Sequence, residues 1–330
     1  MMRNEKLARW IVVALILMAV AIPVGGLWLK RSNVNVIELH ARTPENGGWS
    51  MNTIQARVGQ PITLQMTSDD VVHGFAVGKS DMLTWVNIIP GETVETTLTF
   101  DHPGKYTFYC TRWCGTNHWR MHGEIIVTGD GDPLPADPVP LYLQYHLDID
   151  APHLAKVIPA SPPSAERGAR FESMLPAYVT EEQTYLLNSP ADLWQRLRQE
   201  PALADLSDMD IWDVVRWVWD KQTSAKSQSL GIKMFMALAA AAHGAAGKGD
   251  GVMVRGLPEM SHETMGRKLV RPPDFTDPHV LLGASPAILE GKIIRGGMGT
   301  GMPSWGAILS REQIRSIIGY LYTIAWDSIK

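Results

Sequence analysis

Only two cysteines occur in 330 residues, Cys110 and Cys114. That scarcity excludes the multi-bridge disulfide framework of small secreted folds. Charge is sparse and nearly balanced, with 30 Lys and Arg against 34 Asp and Glu and a formal net charge of −4. No basic run with interleaved aromatics occurs, so nucleic acid is not an expected partner. Turn residues, by contrast, are plentiful, with 22 prolines and 29 glycines. The length suggests two or three folded units.

Both cysteines fall in one stretch, Tyr109 to Met121, which reads C-x3-C-x3-H-x2-M. A lone upstream histidine, His73, sits between two strand-like runs. Thiolates, imidazoles and a thioether suit copper better than magnesium or calcium. The short spacings let one loop wrap a metal centre. A blue-copper site needs only one cysteine, so Cys114 argues against it. Two competing readings stay open: a Cys110–Cys114 disulfide, and a tetrahedral zinc site of Cys110, Cys114, His118 and His73. The disulfide leaves the His and Met spacing without a purpose.

Trp10 to Leu29 is an uncharged, mostly aliphatic run of the length that spans a bilayer. It is read as a retained anchor, with residues after Arg31 outside the cytoplasm. A cleaved signal peptide is the alternative, but the apolar run is long for one and no clear A-x-A site follows. From Val34 to Gly129 the pattern is β. Ile62, Leu64 and Met66 alternate, as do Val94, Thr96, Leu98 and Phe100, then Tyr106, Phe108 and Cys110. Gly59-Gln60-Pro61, Pro90-Gly91 and His102-Pro103-Gly104 supply turns. A small sandwich is expected, with Cys110 at a strand end and Gly123 to Val127 as the closing strand.

Thr67 to Phe75, Pro90-Gly91-Glu92, Pro103 to Tyr106 and Cys110 to Met121 resemble the CuA cupredoxin domain of subunit II of haem-copper oxidases. The resemblance covers residues 1–130. It implies a dinuclear copper centre in which Cys110 and Cys114 bridge two coppers and His73 and His118 ligate one each. Met121 is then a weak ligand, and the backbone carbonyl of Arg112 completes the set. The family often has Glu where Arg112 stands. A ligating carbonyl survives that change, which puts a cation beside the site. The usual tryptophan-rich stretch before the first histidine is missing, and Trp49 and Trp85 are the nearest candidates for electron arrival. Trp113 and Trp119 interleave with the ligands, where they would shield the site, conduct electrons or simply pack.

Residues 131–162 read as a proline-stiffened connection carrying His146 and His153, expected at the surface. Beyond it the pattern is helical. Ser310 with Gln313 forms a capping box, and Ser207 with Asp210 a weaker version. The helices they open align: Ile211, Val214, Val215, Val218 and Trp219 match Ile314, Ile317, Ile318, Leu321 and Tyr322, an internal repeat of about a hundred residues. The second copy resembles a class I cytochrome c domain, through His243 to Gly251, Pro272 to Phe275, and Gly299 to Trp305. The first copy retains only its opening helix, Ala165 to Phe171, and its closing one. Where the attachment sequence C-x-x-C-H would stand, the chain has Ala239 to Ala242 before His243. Covalent haem c is therefore excluded. The resemblance leaves a haem-free relic, with non-covalent haem between His243 and Met302 as the alternative.

The expected architecture is multidomain: one N-terminal transmembrane helix (1–31), an all-β cupredoxin Greek-key sandwich (32–130), the linker (131–162), then all-α cytochrome c-like repeats (163–222 and 223–330). The implied role is a single-pass subunit of the inner membrane, facing the periplasm. It would take electrons from cytochrome c or a cupredoxin and pass them to haem in a catalytic membrane subunit. It would be a non-catalytic part of an oxidoreductase complex. A CuA subunit of a nitric oxide reductase is the alternative within the superfamily. A copper storage or assembly protein is the alternative of another class.

Overall fold

The computed structural model describes residues 35–79, 85–115, 117–255, 271–297 and 302–330, with position 19 besides. Apart from Ala19, the expected span Trp10–Leu29 lies outside these residues. Among the described residues no helix is long and apolar enough to cross a membrane.

The first half is β. It comprises β1 (Asn35–Ala41), β2 (Thr53–Arg57), β3 (Ile62–Ser68), β4 (His73–Val77), β5 (Val86–Ile88), β6 (Thr93–Leu98), β7 (Gly104–Tyr109) and β8 (His122–Thr128). A three-stranded sheet runs β1-β3-β6 and a five-stranded sheet β2-β8-β7-β4-β5. The chain crosses repeatedly between them, which makes a sandwich. β1 pairs with β3 and β2 with β8 in parallel; the other pairings are antiparallel. In β3 the period-2 pattern is strict, with Ile62, Leu64 and Met66 buried and Thr63 and Gln65 half-buried. In β6 only Leu98 is fully buried, because β6 is an edge strand. The core centres on Trp49, whose ring meets Phe75 at 6.0 Å and Phe108 at 5.7 Å edge-on.

Residues 131–140 form no regular element, as their prolines dictate. The rest of the expected linker is not a free spacer. A short helix, α1 (Leu141–Gln144), starts where the Leu141 N–H donates to the buried Glu290 carboxylate at 3.2 Å. Glu290 also pairs with Arg311, which donates to the Pro138 carbonyl at 2.6 Å. Lys292 donates to the Ile149 carbonyl at 2.5 Å, and Arg295 grips Asp150 with two bonds of 2.7 and 2.5 Å. The segment is a strap fastened along the helical half. His146 is exposed and His153 half-buried, with its Nε2 bonded to the Asp148 carbonyl at 2.8 Å.

The helical half contains α2 (Ala165–Ala169), α3 (Glu182–Leu187), α4 (Pro190–Leu197), α5 (Asp208–Lys221), α6 (Ala225–Leu238), α7 (Ala240–His243), α8 (Pro278–Leu282), α9 (Pro286–Arg295) and α10 (Arg311–Asp327). Two crossed pairs repeat. α2 crosses α5 at Gly168, where an added Cβ would stand 2.0 Å from the Asp213 carbonyl oxygen. α6 crosses α10 at Gly231, where a Cβ would stand 2.1 Å from the Ser316 carbonyl oxygen. Asp213 and Ser316 occupy the same place after the caps Ser207 and Ser310, and both caps form complete reciprocal boxes. At that shared place the copies differ. Asp213 binds the Arg167 guanidinium through bonds of 2.6 and 2.7 Å, whereas Ser316 meets only the Ser227 hydroxyl at 3.0 Å. The two closing helices share a core, with Trp212 against Trp326 and Trp219 against Tyr322.

The halves touch along β4 and β7. Ala76 and Tyr109 belong to the helical core rather than the sandwich core, and Trp85 packs against it. The Thr107 hydroxyl donates to the Ala307 carbonyl at 3.4 Å. The helical half therefore lies beside the end of β7, where the cysteine loop begins.

Candidate metal centre

The strand pairing builds the site. β4 and β7 pair antiparallel with Ala76 opposite Tyr109 and Val77 opposite Phe108. Continuing that register past the end of β7 brings His73 and Gly74 alongside Cys110 to Arg112. The Cys110 N–H donates to the Met121 carbonyl at 2.9 Å, which closes the loop at its base. His118 lies in a single 3-10 turn, His118–Arg120, just before β8.

Every expected ligand converges here. The ligand atoms of His73, Cys110 and Cys114 lie within 4.8 Å of one another. His73 Nδ1 is 3.8 Å from Cys110 Sγ, and the Arg112 carbonyl is 3.1 Å from the same sulfur. His118 Nδ1 is 3.5 Å and Met121 Sδ 3.7 Å from Cys114 Sγ. Both cysteines are free thiols, and all four residues with His73 are buried. The disulfide reading is thus not what this structure contains. Six converging donors exceed the four of a tetrahedral zinc site, and the soft sulfurs favour copper.

Burial opposes ionisation of Cys110, but hydrogen bonds with Cys114, His118 and His73 outweigh it and hold its thiol well below the usual range. Cys114 moves the opposite way, raised first by its bond to Cys110 and then by burial. One thiolate beside one thiol is what two buried sulfurs adopt alone. Ionising both needs a cation among them, a charge that copper would supply.

Asp70 completes the site and carries no mark in the ligand motif. Its Oδ1 lies 2.7 Å from His73 Nε2, so it fixes the tautomer that points Nδ1 at Cys110. Its other oxygen accepts from the Thr43 N–H at 2.7 Å and Asn46 Nδ2 at 3.3 Å. Burial opposes Asp70 ionisation, yet these bonds and those of His73 and Val71 hold its carboxyl well below the usual range. Burial likewise opposes His73 protonation, but Cys110 and Asp70 raise its pKa overall. The sequence signal was the D-x2-H spacing of Asp70 and His73. Gly74 is needed for close approach: a Cβ there would stand 2.1 Å from Thr111 Oγ1, and its N–H donates to Cys110 Sγ at 3.4 Å.

The tryptophans separate. Trp49 is in the sandwich core, and Trp85 lies under the helical half with Lys233 Nζ 4.9 Å from its ring centre. Trp113 and Trp119 are exposed, so neither shields the centre. The Arg112 guanidinium points away from the donors, its Nε bonded to Asn87 Oδ1 at 2.9 Å.

The candidate haem ligands are placed differently. His243 ends α7, stacked on Phe275 at 4.8 Å with Phe235 at 6.3 Å. Its Nδ1 is enclosed and has no hydrogen-bond partner among the described residues. Burial alone pushes its pKa down to about 4. Met302 is half-buried against the helical core, its carbonyl accepting from the Gly297 N–H at 3.0 Å. A ligating histidine almost always donates through its other nitrogen, and among the described residues no group receives that proton from His243.

Residues 45–128 match the family model described as cytochrome c oxidase subunit II, periplasmic domain. Over 80 residues the chain is 38% identical to cytochrome c oxidase subunit 2 of Thermus thermophilus, covering 24% of this chain and 58% of that one. Over 89 residues it is 34% identical to a nitrous-oxide reductase of Ralstonia nicotianae, covering 26% of this chain and 14% of that one. The solved periplasmic domain of subunit II of cytochrome oxidase from Bradyrhizobium japonicum is 22% identical, covers 29% of this chain and 85% of that one, and gives a TM-score of 0.24. The chain spans 58% and 46% of the two Thermus sequences it matches. Residues 45–128 are thus similar to the periplasmic domain of cytochrome c oxidase subunit II.

Proposed function

We propose that this chain is the electron-accepting subunit of a haem-copper oxidase-type membrane complex. It would be held by Trp10–Leu29 with residues 32–330 outside the cytoplasm, and would not be catalytic by itself. The observation that carries this reading is the convergence of three sulfurs, two imidazoles and one backbone carbonyl at one buried strand end, within residues similar to the subunit II periplasmic domain. A thiolate-bridged copper pair held there would accept and release one electron at a time. The residues supply its holder. Cys110 and Cys114 would supply the shared thiolates, His73 and His118 an imidazole each, Met121 a weak thioether and Arg112 its backbone carbonyl. Strand pairing and the Asp70 bond fix these donors, so little rearrangement accompanies a change of charge.

Electrons would arrive from a cytochrome c or cupredoxin and leave to haem in a catalytic partner subunit. The helical half is read as cytochrome c-like repeats without haem. That His243 Nδ1 has no partner among the described residues favours that over a haem held between His243 and Met302. Copper per purified chain, with its EPR spectrum, tests the centre. Two coppers with a delocalised mixed-valence signal are expected; one labile copper would sink the reading. Visible absorption tests the helical half, where a haem band would overturn the haem-free assignment.

A further inference from the structure

The two imidazoles of the centre are held by different means. Asp70 bonds directly to His73 Nε2 at 2.7 Å. Among the described residues His118 has no carboxylate partner; its Nδ1 faces Cys114 Sγ at 3.5 Å, and its N–H donates to the Gly115 carbonyl at 3.0 Å. The residue before it supplies the missing tether. Asn117 stands at the N-cap of the turn His118–Arg120, where an asparagine side chain ordinarily accepts from N–H groups of its own turn. It makes no such bond. Its Nδ2 instead donates to Glu45 Oε1 at 2.8 Å, across a sequence separation of 72.

Glu45 belongs to the turn Thr43–Gly48, which is rooted in the sandwich. Pro44 opens a single 3-10 turn, Pro44–Asn46, and Gly47 closes it at a φ of 108° that favours glycine. Ala41 and Trp49 pair across its base, and the Arg42 N–H donates to the Gly48 carbonyl at 3.1 Å. Trp49 is buried against Phe75 and Phe108. Arg42 Nε and His40 Nδ1 both bind the Asp69 carboxylate, at 2.7 and 2.9 Å. From that base the turn reaches both imidazoles. The Thr43 N–H and Asn46 Nδ2 bind the Asp70 carboxylate behind His73, and Glu45 binds Asn117 beside His118. The turn also covers the start of the loop between the second cysteine and His118. Outside that stretch of chain, the atoms nearest a Cβ added at Gly115 are Glu45 Oε2 at 3.5 Å and Thr43 Cγ2 at 3.9 Å.

We propose that the turn Thr43–Gly48 is a clamp across the two imidazoles, and that Glu45 is a positioning residue for His118, acting through Asn117. The proposal rests on the function proposed above, in which His118 is a ligand. A donor carried on a loop is fixed only as well as the loop, and side-chain bonds behind the ligands supply that order. Losing the Glu45 bond removes no donor. It frees the loop that carries one.

Four variants of the full chain test this: Glu45→Ala, Glu45→Gln, Asn117→Ala and the double variant Glu45→Ala, Asn117→Ala. Copper loss to a chelator should be about five- to tenfold faster in Glu45→Ala and in Asn117→Ala, the size of one exposed hydrogen bond. The nitrogen couplings in the copper EPR signal should broaden for one imidazole. Glu45→Gln keeps an acceptor oxygen and should restore most of the original rate. The double variant should lose copper no faster than either single one, because both remove the same bond. In the metal-free chain, amide hydrogen exchange at 118–120 should quicken in Glu45→Ala while circular dichroism stays unchanged. Copper loss indifferent to Glu45→Ala, whether or not exchange quickens, overturns the positioning role and leaves the copper centre standing. So does a Glu45→Gln that behaves as Glu45→Ala, or a double variant with additive effects. An unaltered chain that takes up no copper pair overturns the function proposed above, and the positioning role with it.

Discussion

His73 is buried whole and His243 only in part, with its Nδ1 enclosed, and their surroundings differ further. His73 has Asp70 at 2.7 Å behind one ring nitrogen and Cys110 at 3.8 Å before the other. His243 has aromatic rings on its faces and nothing at Nδ1 among the described residues. Their pKa values move apart accordingly: His73 is raised by its partners, and His243 is lowered to about 4 by burial alone. The contrast is between an imidazole placed as a ligand would be and one that is not. A metal-binding imidazole needs its second nitrogen anchored. The β half has that anchor in Asp70, whereas the helical half shows none for His243 among the described residues and carries no cysteine.

The comparison can be broken most directly at the sulfurs. Cys110→Ser or Cys114→Ser should remove the paired-copper EPR signal and slow donor-driven reduction by more than about a hundredfold, roughly 3 kcal/mol or more. His243→Ala should leave copper content and spectrum as they are. Equal damage from both substitutions would erase the distinction drawn here.

Acid stability of the metal-free chain probes the other histidine. Above pH 6.5 His243 is neutral both folded and unfolded, so it adds no pH dependence. Between pH 6.5 and about 4 only the unfolded chain takes up the proton, so stability falls as pH falls, by at most about 3 kcal/mol. His243→Phe should lose that part of the decline. Urea midpoints of the two proteins at pH 7 and pH 4.5 would show it, and parallel shifts would refute it.

The anchor behind His73 should matter next. Asp70→Ala is expected to weaken copper binding about 10–100-fold, read by competition with a chelator. An unchanged affinity would make Asp70 a loop-holding residue only. The smallest effects belong to the repeated helices. Ser207→Ala and Ser310→Ala should each cost about 1 kcal/mol by denaturant unfolding, since each removes a complete capping box. A loss confined to one would show that the copies do not contribute alike.

The copper loop was legible because its information is local: four side-chain donors lie between Cys110 and Met121, within one strand-to-strand connection. The paired closing helices were legible for the same reason, since caps and apolar spacing repeat within each. Asp70 was written beside His73, but only the fold shows that it faces Nε2 rather than solvent. The connection's fastening along the helical half was not legible. Its partners Glu290, Lys292, Arg295 and Arg311 lie far along the chain, and proline content says nothing about distant ion pairs. That Trp85 packs, half-buried, against the helical core is likewise a tertiary fact its place in the sequence did not show.

The sequence alone determined which atoms can bind the metal and that haem has no covalent tether, because both depend on residue type at short spacing. Tertiary structure decided that His73 joins the loop, since the β4–β7 register carries it there across the sheet. It also decided that the alanine-bearing helices face the copper loop across a cleft, because the packing of Ala76, Tyr109 and Trp85 against the helical core sets how the two halves lie.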